Sequence, residues 1–421
     1  MQLVARRLFY GWVVVGAAFA CMFVSFAVAY SFGTYFEPLR EEFGANRGSI
    51  SLVFALTGLL YFGLGALTGP LADRFGPRLV CSLGAVSFLV GLLLASRAQA
   101  VWQVYLTYSL FVGVGVAACY VPSVATVQRW FVRRRALASG IAVSGIGLGT
   151  IVGPPFSSLL IEEYGWRTAL SLTAVVAGAL AAAAAAVLER SPAALGLLPD
   201  GADRAAGEPR AGMAGAAAFA EAAGYTVGEA VRSRAFAWLY TAGVLATAPV
   251  FLALGHIVPY GQDQGLSLSE ASLGLTGIGI GSLVGRLFLS PFGDRFGRRG
   301  SYGASIVAMA ALSYLWFLVP LGDVWALVAW GACFGSAYGA FVALSPTLMA
   351  DYFGTRAVSG IIGIFYTAAG VGALAGPWLG GLVFDLTESY RPAILIAALL
   401  ATVGGVAVWR APGPKEVARS A

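Results

Sequence analysis

Arg286 is the only charged residue in the apolar run Leu273–Phe292. A guanidinium in a bilayer core costs at least roughly 2.5 kcal/mol, so its presence argues for a use. Its planar fork suits a carboxylate held by two parallel hydrogen bonds. It stands eight residues before Asp294, about 12 Å along a helix, which is far for a side chain to snorkel out. The plainer alternative is a structural ion pair with an acid on a neighbouring helix. Asp263 is the nearest candidate counter-ion, although residue counting puts it well above Arg286. A contact between them needs an unwound or tilted helix, which Gly255, Pro259 and Gly261 permit. If the two meet, protonating Asp263 frees Arg286 for an anion and links proton to anion. His256 is the only histidine and lies two turns before Asp263. Imidazole titrates near pH 6.5, so His256 reads as a proton relay, or more plainly as a hydrogen-bonded packing residue. Tyr120 offers a hydroxyl to a carboxylate and a ring to an apolar wall. Tyr338, Phe341 and Tyr366 are candidates to line the opposite wall.

Long apolar helices must position these residues. The chain is 59% hydrophobic and 11% charged, with mean hydropathy +0.81, more apolar surface than a soluble domain of 421 residues can hide. Twelve apolar runs lie between charged or Pro/Gly breaks: Tyr10–Phe36, Ser49–Ala72, Leu79–Ser96, Val101–Val127, Ala136–Ile161, Trp166–Leu188, Phe236–Gln262, Ser269–Phe292, Ser301–Val319, Val324–Met349, Val358–Phe384 and Ala393–Trp409. A spanning helix needs about 20 such residues, whereas barrel strands alternate over about ten. The expected fold is an all-α membrane protein with twelve transmembrane helices. Of the 26 basic residues, Arg286 aside, only Arg40, Arg47, Arg97, Arg167 and Arg391 fall on one side. The others lie in the termini, the middle linker and the loops after even-numbered runs. Both termini are therefore expected in the cytoplasm, in a plasma or inner cell membrane. Basic charge spread over many loops argues against nucleic acid as a partner. Cys21, Cys81, Cys119 and Cys333 all fall inside runs and read as small core residues.

The segment Glu189–Arg234, rich in Ala, Gly, Pro and charge, separates six runs from six. It divides the chain into an N-terminal bundle (1–188), a cytoplasmic linker (189–234) and a C-terminal bundle (235–421). The two bundles repeat each other. GPLADRFGPR (Gly69–Arg78) returns as SPFGDRFGRR (Ser290–Arg299), WFVRRRALASG (Trp130–Gly140) as YFGTRAVSG (Tyr352–Gly360), and Gly153-Pro154 as Gly376-Pro377, all at nearly one offset. Parallel repeats related by an axis along the membrane normal imply a cavity between the halves. GPLADRFGPR resembles the loop signature of the major facilitator superfamily, with its second copy where that resemblance expects it. The resemblance implies two pseudo-symmetric six-helix bundles around one substrate site. It also implies that Gly69, Asp73, Arg74, Gly76 and Arg78, with Asp294, Arg295 and Arg298 in the second copy, gate the conformational change. The bland alternative is a basic turn that only fixes topology. Gly277, Gly281 and Gly285, and Gly145, Gly149 and Gly153, recur one turn apart, so their faces are expected to be either the rocking surfaces or plain tight packing. Pro154-Pro155 is expected to kink its helix.

Charge counting narrows the cargo. Only Arg286 is basic deep in the runs, and no lysine precedes Lys415. A dicarboxylate would leave one charge unpaired in low dielectric, whereas a small monocarboxylate such as lactate or pyruvate balances one arginine. The runs carry few Asn, Gln, Asp or Glu, which disfavours sugars. FYGWVVV, the arginine in the eighth run and the Ala-rich middle segment resemble the monocarboxylate-porter and oxalate/formate-antiporter branch. Two departures matter. Animal monocarboxylate porters carry a lysine in the first span and an aspartate four residues before the arginine; here the first run has no lysine and that position is Ser282. The span-11 lysine of oxalate exchangers is also missing, where Ile364-Phe365-Tyr366 stands instead. No phosphate-binding loop, catalytic constellation, metal set or cofactor motif is visible, so an enzyme is not expected. The reading is a monomeric secondary transporter that moves a small monocarboxylate with a proton by alternating access in the lipid bilayer. The alternatives are an organic-anion exchanger of the same fold and a non-transporting anion sensor.

Overall fold

A computed structural model describes residues 9–131, 134–201, 224–316, 322–354 and 356–413. The chain is helical almost throughout these residues. The long elements are α1 (Tyr10–Phe43, interrupted at Ser31), α2 (Arg47–Phe75), α3 (Pro77–Ala95) and α4 (Val101–Trp130). A run from Arg135 to Ala186 follows, broken by Gly165 at φ 77° into α5 (135–164) and α6 (166–186). Beyond the linker come α7 (Arg234–Asp263), α8 (Leu268–Leu289), α9 (Arg298–Leu315), α10 (Val324–Phe353), α11 (Val358–Thr387) and α12 (Arg391–Arg410). These are the twelve elements expected from the apolar runs. Among the described residues ten helical stretches are long and apolar enough to cross a membrane; α5 and α6 form one of them, and α9 lies outside that set.

Local chemistry sets the ends. Asn46 caps α2 by accepting from Ser49 N–H, and Ser267 with Glu270 forms a reciprocal capping box on α8. The two copies of the loop motif turn alike. Gly76 (φ 88°) and Gly297 (φ 91°) adopt the same glycine-favouring conformation before α3 and α9, so the sequence repeat is a structural repeat.

The glycine stripes pack within each half rather than between halves, which corrects the rocking-surface expectation. A Cβ on Gly277, Gly281 or Gly285 would lie 2.4, 1.9 or 2.0 Å from a carbonyl oxygen of α10. On Gly145, Gly149 or Gly153 it would lie 2.4, 2.5 or 2.6 Å from one of α1. Backbone contact of this kind leaves each half little freedom to shear internally. Between halves, α2 packs on α11 and α5 on α8. Pro154 and Pro155 lie inside a continuous helical stretch, and the one non-helical residue of the merged run, Gly165, falls at the junction between the fifth and sixth apolar runs. Cys21, Cys81 and Cys119 are buried; Cys333 is exposed on α10, not in the core.

Candidate anion cavity and outer gate

Arg286 sits in a π-helical turn, Gly285–Leu289, that ends α8, with Ser290 N–H bonded back to Gly285 C=O. Such an extra residue in a turn re-aims side chains and recurs at functional sites. The guanidinium enters a cavity between the halves. Every residue expected to bind substrate lines this one space: Arg286, Tyr120, Tyr338, Phe341 and Tyr366. Phe26, Tyr30, Phe62, Phe251 and Phe365 complete its aromatic wall. Arg286 has no carboxylate partner among the described residues. Its Nη1 makes one long contact, 3.4 Å, to Val143 C=O of the other half, and its buried Nε has no acceptor. A buried donor without a partner costs free energy, and an anion entering this cavity would relieve it.

Above the cavity, on the side away from the linker, an aromatic layer closes the path. Phe54 lies 6.3 Å from Tyr30, 5.9 Å from Phe32 and 5.9 Å from Phe251, centroid to centroid. Beyond it lies a polar knot centred on Arg47, at the start of α2. Arg47 grips Asp263 with two bonds of 2.7 and 2.6 Å, donates to the Tyr390 hydroxyl at 2.6 Å and meets Glu37 at 3.1 Å. Its guanidinium also stacks 3.9 Å from the Phe384 ring. Asp385 accepts from the N–H groups of Arg47 and Gly48 at 2.9 and 2.7 Å, so an acid of the second half caps a helix of the first. His256 is buried beneath this knot, with Nδ1 3.0 Å from the Tyr390 hydroxyl and Nε2 2.8 Å from Pro377 C=O. Ser51 Oγ approaches it from the first half at 3.2 Å. Ser158 with Ser272 (3.2 Å) and Ser269 N–H with Glu162 (2.8 Å) join the halves at the same end.

The conditional contact between Asp263 and Arg286 is therefore not made. α7 runs helically to Asp263, whose carboxylate is committed to Arg47 at the end away from the linker. His256 follows it there rather than into the cavity. Sequence reasoning missed Arg47, Asp385 and Tyr390. Arg47 reads as an ordinary loop cation, and only packing shows it buried to 7% exposure.

A model of the Major Facilitator Superfamily matches residues 18–279 and 257–421. The chain belongs to that superfamily. It is accordingly a multi-pass membrane transporter. The chain is similar to "Monocarboxylate transporter 12-B" of Danio rerio, 28% identical over 406 residues that cover 92% of this chain and 84% of the relative. It is equally similar to "Monocarboxylate transporter 13" of Bos taurus, 28% over 398 residues, 94% of this chain and 88% of the relative. "Monocarboxylate transporter 4" of Rattus norvegicus is 25% identical over 394 residues.

The two motif copies make different contacts. In the first, Asp73 pairs with Arg129, Arg190 donates to the Asp73 carbonyl, and Arg78 reaches Glu189 at 2.5 Å. Gly69 faces Val121 closely, and Arg74 lies over Phe75. In the second, Arg298 reaches Asp351 at 2.7 Å and Arg295 lies over Phe296; the Asp294 side chain lies outside the described residues. These contacts stay within the half or reach the adjoining linker start. Firm polar ties across the seam sit at the opposite end. The structure is a form closed on the side away from the linker.

Proposed function

We propose that this protein is a secondary active transporter of small monocarboxylates, lactate and pyruvate among them, working by alternating access with the linker and termini in the cytoplasm. The observation that carries the reading is Arg286: a guanidinium in an aromatic cavity between the halves, with no acid to neutralise it among the described residues. One positive charge balances one carboxylate and leaves nothing over for a second. The names of the similar proteins support the same class. Tyr120 and Tyr366 have hydroxyls without a hydrogen-bond partner among the described residues, and they are the donors proposed to complete the carboxylate's shell. Tyr338 and Phe341 are proposed to pack against the cargo.

The transport cycle is proposed to be proton-coupled through the outer knot. A proton on Asp263 removes the charge that holds Arg47, which favours the form open to the outside. Reforming the pair on closure requires Asp263 to give that proton up. His256, connected through the Tyr390 hydroxyl, is the group proposed to relay it inward. The loop residues Gly69, Asp73, Arg74, Gly76, Arg78, Asp294, Arg295 and Arg298 are proposed to close the cytoplasmic end when the outer knot opens. The test is uptake of labelled lactate and pyruvate into proteoliposomes, with and without an inward proton gradient. Uptake that ignores the gradient but needs a trans-side organic acid would replace symport with exchange. Arg286→Ala transporting normally would remove the anchor.

A further inference from the structure

The cavity has little polar equipment to spare for a ligand. Thr247 lines the space, but its hydroxyl is spent on the carbonyls of Gly243 and Val244 in its own helix. Ser345 is likewise bonded to Phe341 C=O, and the Tyr30 and Tyr338 hydroxyls face each other at 3.3 Å. That leaves Arg286, Tyr120 and Tyr366, with the one O–H of the Tyr30–Tyr338 pair that their mutual bond does not use, to meet a polar ligand, and Tyr120 and Tyr366 lie within electrostatic reach of the guanidinium. Two donor hydroxyls and a guanidinium match the lone pairs of one carboxylate and have nothing left for a second polar group. The remaining wall is rings and alkyl groups: Phe26, Phe62, Phe251, Phe365, Ile146 and Val342. The rings are themselves arranged edge to face, Phe62 against Phe251 at 6.0 Å and Phe26 against Tyr120 at 5.6 Å, which presents both faces and edges to a flat guest. A three-carbon acid such as pyruvate carries at most a methyl group to set against this apolar wall.

We infer that the preferred cargo of this cavity is a monocarboxylate with an aromatic or similarly bulky apolar tail, its carboxylate on Arg286, Tyr120 and Tyr366 and its tail against Phe62, Phe251 and Phe365. This rests on the reading of the cavity as a monocarboxylate site and names the part of the molecule that reading leaves open. Apolar burial of one ring strengthens binding roughly ten- to hundredfold.

The experiment compares pyruvate with phenylpyruvate, which differ only by the ring. Affinity of the purified full chain is measured by calorimetry, and uptake of each labelled acid is measured in proteoliposomes. Phenylpyruvate is expected to bind at least tenfold tighter and to be taken up in an Arg286-dependent way. Phe62→Ala, at a part-exposed position, is expected to narrow that ratio several-fold; Phe365→Leu provides the same readout if the first variant is unstable. Equal or weaker binding of phenylpyruvate, with pyruvate uptake still lost in Arg286→Ala, overturns the inference and leaves the monocarboxylate reading intact. Tight phenylpyruvate binding without uptake also overturns it, since the ligand is then a blocker and not cargo. Arg286-independent behaviour of both acids sinks the underlying reading itself.

Discussion

Asp263→Asn isolates the electrostatic part of the outer knot while keeping its shape. The wild-type carboxylate receives two charge-assisted bonds from Arg47 and is 31% exposed, so solvent screens it only partly. Charge-assisted bonds are about twice as strong as neutral ones, with net values of roughly 1.5–3 kcal/mol each. The amide keeps one acceptor and turns its other end into a donor facing a donor. A loss of about 2 kcal/mol follows, which by 1.36 kcal/mol per tenfold shifts the ratio of outer-closed to outer-open molecules by about 30-fold. Spin labels at Glu41→Cys and Leu386→Cys, both exposed and on opposite halves, report the outer separation by pulsed electron resonance. Exposed Cys333 is replaced first, and the buried cysteines stay. A long-distance population should grow in Asp263→Asn at neutral pH, and acidifying the wild type should move it the same way. If the distance distribution is unchanged in Asp263→Asn and also in Arg47→Ala, the knot does not hold the gate and the proton-linked scheme fails with it.

Further expectations follow from other contacts. Arg286→Lys keeps the charge but not the fork, so uptake should fall at least tenfold while folding, read by thermal stability in detergent, is kept. Tyr120→Phe removes one carboxylate donor and should raise KM severalfold with kcat little changed. His256→Gln should retain outer closure but weaken the response of uptake to a proton gradient; an unaltered gradient response would reduce His256 to a packing residue. Gly281→Ala drives a methyl into the Ala332 carbonyl, 1.9 Å from the added carbon, and should lower thermal stability by an amount typical of overpacking, about 1–3 kcal/mol or more. A variant as stable as the wild type would mean that α8 and α10 are not held in backbone contact.

The scaffold was largely legible because membrane helices obey few rules. Apolar run length sets their number, and the repeated GPLADRFGPR segment sets the pairing of halves, which Gly76 and Gly297 then realise with matching dihedrals. The cavity residues were legible for a related reason: a charge or a tyrosine inside an apolar run has few places to go but inward. The gate was not legible. Arg47 and Asp385 occur at helix ends, where charged residues are ordinary, and their pairing joins positions far apart in the chain through a docking of halves that no local pattern encodes. Asp263 was considered as a counter-ion to Arg286 only if the two meet, and it lies on Arg47 instead, because counting residues gives height in the membrane but not which neighbour stands across. The glycine stripes misled in the same manner: spacing shows that a face is flat, not whose backbone lies against it.

The position of Arg286 within the duplicated plan has one more implication. By the register that aligns Ser290 with Gly69, its counterpart in the first half is Gly65, which has no side chain with which to hold an ion. The charge proposed to hold the anion thus belongs to one twin alone. On that reading a passenger moored on α8 would ride in the frame of the second bundle, and the first bundle, which adds Tyr120 and Phe62 to the walls, would swing past it. Duplication supplied the symmetry of the hinge, and its loss at a single site gave the machine a fixed berth.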